Sequence, residues 1–204
     1  MKIIDAHSHI GNFGSWARFD FDLARLKEQM GKFDIEKTLL SGAGAGDYAS
    51  VLDAFQKEPD LVVPIAWVKP GGPEALDEMR RVPVFIHSGH PPYSLPWQIG
   101  WLAERHPRVP VVLLHMGHAH GVYVDAALKT ARRYPNVYLE TSGTSMSVKI
   151  REAYETVGAD CVLFGIDSPF HEPSVEIEKT RSTFLPDDAL RRIYHDNTAK
   201  LLGL

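Results

Sequence analysis

Short apolar runs recur along the chain, each closed by polar or glycine-rich residues, and most are followed by a stretch with helical spacing. Residues 2–9, 37–41, 61–68, 82–87, 109–115, 136–140 and 160–167 read as strands, seven in all. Between them, residues 22–30 place Leu23, Leu26 and Met30 on one helical face, and 48–55 follow an Asp47 suited to cap a helix. Residues 99–104, 122–133 and 147–157 fill later gaps as helices, and Pro186 with Asp187 and Asp188 opens a C-terminal one. Strands alternating with helices predict a parallel sheet. Covered on both faces, such strands read as nearly unbroken apolar runs, as 82–86 and 109–114 do.

An open doubly wound sheet would give the same alternation. Polar residues of chemical interest, however, close the first, fourth, fifth and seventh strands, and a barrel gathers such ends around one mouth. The expected fold is therefore an α/β TIM-like (β/α) barrel. It is shortened to seven strands, because residues 70–81 have room for one short helix and no further strand. Residues 1–204 read as a single domain, with 44% hydrophobic residues to fill one core.

Charge and composition narrow the function. A formal net charge of -4 and the lack of any Lys/Arg cluster argue against nucleic acid as a partner. The single cysteine, Cys161, has no internal partner and lies beside Val162, Leu163 and Phe164, which predicts a buried strand thiol. No export signal and no apolar run of membrane-spanning length is present, so a cytoplasmic protein without a membrane partner is expected. Trp16, Trp97 and Trp101 are expected to pack. Ten histidines are the compositional oddity.

His7 and His9 follow Asp5 at alternate positions of the first strand, so the three side chains should share a face. Two imidazoles so spaced can bind one cation. Alone the pair means little, since this histidine content yields about 0.5 His-x-His pairs by chance, and His118 and His120 form another. Position adds weight: His87, His115 and Asp167 each end an apolar strand at the same face of the expected barrel. Trp67, Lys69, His90 and His118 fall near strand ends and are the candidate substrate contacts, as are Glu140 and His171.

The segments IIDAHSHIG, VFIHSG, VVLLHMG and FGIDSPF, in that order, resemble the metal-site segments of the amidohydrolase superfamily. The ending NTAKLLGL resembles that of the branch containing metal-dependent hydrolases and aminocarboxymuconate semialdehyde decarboxylase. By that resemblance His7, His9, His87 and Asp167 hold a divalent metal ion, and His115 stands beside the reacting water. Asp167 and His115 are then the catalytic pair, one taking a proton from water and the other steadying developing charge. Zinc suits this donor set, and manganese, iron or cobalt would also be accommodated. Family barrels have eight strands, so the missing unit favours one metal over two. It also leaves a strand edge that a homodimer would cover. The implied activity is hydrolysis of a C–N or C–O bond in a small polar substrate through water activated by the metal. Non-oxidative decarboxylation of a small carboxylic acid is an alternative, and a barrel that binds metal or ligand without chemistry is another.

Overall fold

The computed structural model describes residues 1–14, 17–44, 47–65, 82–118 and 120–204. The first sheet is built on β1 (Ile3–Asn12), which pairs in parallel with β3 (Ile35–Gly42), itself parallel to β4 (Val62–Pro64). A two-residue β2 (Asp20–Phe21) runs antiparallel along the far end of β1. The second sheet is wholly parallel: β5 (Val84–His87), β6 (Val111–Leu114), β7 (Val137–Glu140) and β8 (Val162–Leu163). The predicted third strand is described only through β4, and the rest of it, with Trp67 and Lys69, lies outside the described residues.

The two sheets are joined at the seam between β8 and β1. Ala6 N donates to Phe164 O at 2.9 Å, Asp167 N to His7 O at 2.6 Å, and His9 N to Ser168 O at 2.7 Å. A buried carboxylate strengthens this seam. Asp5 accepts from His7 N, Ser8 Oγ and Thr38 Oγ1, and across the seam from Ile166 N. One aspartate thus ties three strands together, which satisfies a buried charge that would otherwise be costly. With parallel strands, alternating helices and a closed β8–β1 seam, the fold is a shortened (β/α) barrel, as the alternation of strands and helices predicts.

Helices follow their sequence signals closely. Helix α1 (Leu23–Lys32) is capped by Asp22, which accepts from Arg25 N, and buries Leu26 and Met30. Helix α2 (Tyr48–Lys57) is capped by Asp47, as its position suggests. Helices α3 (Pro96–Arg105), α4 (Gly121–Arg133) and α5 (Ser147–Thr156) cover the second sheet. The C-terminal segment runs through α7 (Asp187–Arg191), a π-helical turn and α8 (Asn197–Leu202), after an unforeseen α6 (Pro173–Arg181). Proline at the first turn of α6 signals its start, but its polar sequence carries little amphipathic pattern.

Three expectations fail. Strand β5 is only partly buried, and Val82 before it is 53% exposed, whereas β6 is buried throughout. Cys161 is half-buried in a tight turn that precedes β8, because the hydrogen-bonded strand begins one residue later than the apolar run suggests. Trp97 and Trp101 lie one helical turn apart on the exposed side of α3 and so do not pack into the core; Trp16 lies outside the described residues.

Candidate metal centre

The strand ends deliver their side chains to one place. Strand β1 has one more residue than β3 between the pairs Asp5–Thr38 and Ser8–Leu40, a β-bulge just where His7 sits. Beyond it, His7 and His9 both turn their Nε2 atoms to Asp167 Oδ1, each at 3.3 Å. One ligand atom from each of His7, His9 and Asp167 lies within 4.8 Å of the others.

These residues fit a divalent cation. His7 Nε2 is fully buried and has no hydrogen-bond partner despite its approach to the carboxylate. His9 Nδ1 donates to Gly42 O at 3.1 Å and lies 2.9 Å from Ser41 Oγ, so its ring is oriented with Nε2 toward Asp167. Two imidazole nitrogens and a carboxylate oxygen are a donor set for zinc, manganese or iron. Burial pulls Asp167 toward the neutral form, but contacts with His7 and His9 outweigh it and hold the carboxyl below the usual range. The reverse balance applies to His7: burial opposes its charge, while Asp167 raises its pKa.

His115 borders the same space. Its ring centroid is 5.3 Å from that of His7, and its Nε2 is buried without a partner. The Nδ1 atom faces Ser142 O at 3.0 Å and Ser142 Oγ at 2.9 Å. Burial, and then the neighbouring His7 and His87, push its pKa well down. Both His115 (φ 65°) and Asp167 (φ 63°) occupy left-handed backbone, a strain of about 1–3 kcal/mol each that surrounding bonds must hold. Those bonds are present: His115 N donates to Glu140 Oε2, and Thr144 Oγ1 donates to His115 O. Glu140 is buried at the end of β7 and also accepts from Ser142 N and Ser142 Oγ. Its pKa is pushed up to about 7 by burial, against the pull of His7 and these donors.

His87 is exposed at the end of β5, outside the His7–His9–Asp167 group, with its ring 4.2 Å from His115. Although the residue is exposed overall, its ring is packed against His115 and His90, and the solvent lost on that side, then the nearby His90 and His7, lower its pKa to about 4. His90 and His118 extend the cluster, their rings 4.7 Å apart and His90 4.4 Å from His87. Thus His7, His9, His87, His90, His115 and His118 form a chain of neighbouring rings, while Trp67 and Lys69 fall outside the described residues.

His171 proves to belong to the site more closely than its sequence position suggests. Its Nε2 is 3.7 Å from Asp167 Oδ2, and its Nδ1 is 3.3 Å from Glu176 Oε1. Glu176, buried on α6, is also paired with Lys179. The contact with Glu176 raises the His171 pKa against partial burial. A cavity of about 710 Å³ opens beside His171, lined also by Thr144, Ser145, Ser147, Ser174 and Lys179. Proximity of His171 to Asp167, four residues earlier, was the available signal; the Glu176–Lys179 pair had none. Among the described residues no helix is long and apolar enough to cross a membrane.

No curated protein matches the chain. Among solved structures, an uncharacterized TIM-barrel protein from Bordetella bronchiseptica is similar, with 18% identity, 98% of each chain covered and a TM-score of 0.78. An amidohydrolase from Burkholderia multivorans with bound zinc has 15% identity, 100% of each chain covered and a TM-score of 0.77. A dihydroxybenzoic acid decarboxylase from Polaromonas sp. JS666, with manganese and the inhibitor 2-nitroresorcinol, has 16% identity, coverage of 98% of this chain and 96% of that one, and a TM-score of 0.70. The amidohydrolase family profile matches residues 74–204, over which β5 to β8 and Asp167 fall, and the chain belongs to that family.

Proposed function

We propose that this protein is a metal-dependent hydrolase that cleaves a C–N or C–O bond in a small polar substrate. The observation that carries this reading is the convergence of His7, His9 and Asp167 beside the unpartnered Nε2 of His115. His7, His9 and Asp167 would hold one divalent cation, with His87 as a fourth donor and zinc as the ion. When bound, such an ion polarises a carbonyl and lowers the pKa of water. Asp167 and His115 handle the protons, since both stand at the site and neither is committed to a salt bridge with Lys or Arg among the described residues. His90 and His118 contact the substrate at the exposed rim, and the hydroxyl-lined cavity beside His171 accommodates its polar remainder.

Decarboxylation of a small carboxylic acid is the second reading, favoured by the similarity to the Polaromonas decarboxylase. The two are separated by giving the zinc-loaded protein δ-valerolactone and 2,6-dihydroxybenzoate. Hydrolysis predicts acid release from the lactone that disappears in His7→Ala with His9→Ala. Carbon dioxide release from the benzoate, with the lactone untouched, would replace hydrolysis with decarboxylation.

A further inference from the structure

Glu140 and Ser142 take no direct part in the cation site, yet they surround His115. A main-chain carbonyl oxygen only accepts, so Ser142 O, at 3.0 Å, demands a hydrogen on His115 Nδ1. The Ser142 hydroxyl has one hydrogen and donates it to Glu140 Oε2 at 2.8 Å. Toward His115 Nδ1, 2.9 Å away, that oxygen therefore accepts as well. Glu140 anchors the arrangement at both ends, taking His115 N on Oε2 at 3.1 Å and Ser142 N on Oε1 at 2.5 Å. Thr144 Oγ1 and His118 N bind His115 O, at 2.8 and 2.7 Å, and fix the backbone that carries the ring, while turning the ring over would break both Nδ1 contacts with Ser142.

We propose that Glu140 and Ser142 are positioning residues that lock His115 in the Nδ1–H tautomer and present a bare Nε2 to the substrate. This rests on the proposed proton-handling role of His115. The resting ring is then an acceptor. In hydrolysis an O–H bond of water breaks as Nε2–H forms and the oxygen adds to the carbonyl carbon; the Nε2 proton then passes to the leaving nitrogen or oxygen. Ser142 keeps the Nδ1 proton in place throughout. Protonation of a carbanion would instead require the ring to be charged beforehand, so the same pair bears on the choice between the two reactions.

The tautomer is read directly from long-range ¹H–¹⁵N correlations of the zinc-loaded protein labelled with ¹⁵N-histidine, with His115→Gln to assign the signals. The expected wild-type ring is protonated at Nδ1 alone. In Glu140→Gln an amide N–H occupies the place of a carboxylate oxygen, so the Ser142 hydroxyl loses its acceptor or the Ser142 N–H meets a donor. The Nδ1–H to Nε2–H ratio is expected to fall about tenfold or more, the equilibrium effect of losing a hydrogen bond to a charged group. Ser142→Ala, which keeps the carboxylate, gives a smaller change in the same direction, and Ser142→Thr restores the wild-type ratio. Should Glu140→Gln fail to fold, the comparison of Ser142→Ala with Ser142→Thr decides. A wild-type His115 protonated at Nε2, or folded variants that all keep the wild-type ratio, would overturn the assignment. Zinc content is measured on the same samples. An Nδ1–H ring that responds to these substitutions in protein without zinc would count against the proposed metalloenzyme and leave the positioning pair standing.

Discussion

His7 Nε2 lies 3.3 Å from Asp167 Oδ1 across the seam where β8 meets β1, so the first and last strands of the barrel meet at the proposed ligand set. Removing the carboxylate should therefore cost the ion more than any other single change. Asp167→Asn is expected to weaken zinc binding by well over tenfold, and His87→Ala by less, about tenfold, because this fourth donor stands outside the compact group of ligand atoms. Competition with a chromogenic chelator measures both; wild-type affinity in Asp167→Asn would remove Asp167 from the ligand set.

Protons compete with the ion at His7. Its pKa is raised by Asp167 in the face of burial, so the ring retains its proton to higher pH than an ordinary histidine. Zinc affinity should climb as pH rises through neutrality and level off once His7 is deprotonated. The slope should flatten in Asp167→Asn. Metal titrations from about one and a half pH units below neutrality to about one and a half above it would show it; an affinity independent of pH in wild type contradicts the assignment.

Four strand ends are legible because the apolar runs of the first, fourth, fifth and seventh predicted strands stop abruptly at a histidine or aspartate, as Val111–Leu114 does before His115. The capping of α2 by Asp47 was legible for a similar local reason. What escaped detection depends on contacts between distant positions. Glu140 reads in the sequence as a candidate substrate contact, but it supports the backbone of His115, 25 positions earlier. The bulge at His7 depends on register against β3, and the left-handed backbone of Asp167 on its bond to His7 O. None of these leaves a periodic trace. His87 shows the opposite case, where strand position put it near the site but not in the compact group of ligand atoms.

Glu140 should leave a signature in stability. Its folded pKa of about 7 exceeds the ordinary 4.5, so between those values the folded state binds more protons than the unfolded one. The stability contributed by the protonated carboxyl is complete below the unfolded value and is lost as pH rises through about 7. Wild type is expected to lose on the order of 3 kcal/mol over that window relative to Glu140→Gln, which does not titrate. Urea unfolding of both proteins at saturating zinc, from pH 4.5 to 8, on the order of the titration window, makes the comparison. Parallel pH profiles would show that Glu140 ionises like an exposed carboxylate.

Asp5 predicts a purely structural loss. Asp5→Ala strands His7 N, Ile166 N, Ser8 Oγ and Thr38 Oγ1 in the core without their acceptor. Each buried unsatisfied donor costs about 1–3 kcal/mol, though some will find other partners, so about 3 kcal/mol or more is expected. For a chain of this size that lowers Tm by about 6–12 °C. Asp5→Asn retains one acceptor oxygen and should lose less than half as much. A thermal melt of Asp5→Ala within about 2 °C of wild type, under 1 kcal/mol, would mean the seam does not depend on this carboxylate.

Gly165 connects the last strand to the His115 support and gives the sharpest steric prediction. A Cβ added there would collide with Glu140 Oε1 and stand 2.7 Å from Glu140 Cδ. The carboxylate cannot step aside at low cost, because Oε1 is fixed by Ser142 N and Oε2 by His115 N and Ser142 Oγ. Nor can the backbone at position 165 retreat freely, with Phe164 N bonded to Ile193 O and Ile166 N to Asp5. Gly165→Ala should therefore destabilise the fold by about 1–3 kcal/mol, the range for overpacking a tight core, and lower Tm by about 2–12 °C. Relief should come chiefly from Glu140, so the variant is also expected to broaden the His115 ring signals. In the double variant Gly165→Ala with Glu140→Ala the collision is gone, and the alanine at 165 should cost less than it does alone. Equal costs in the two backgrounds would place the strain elsewhere than at Glu140.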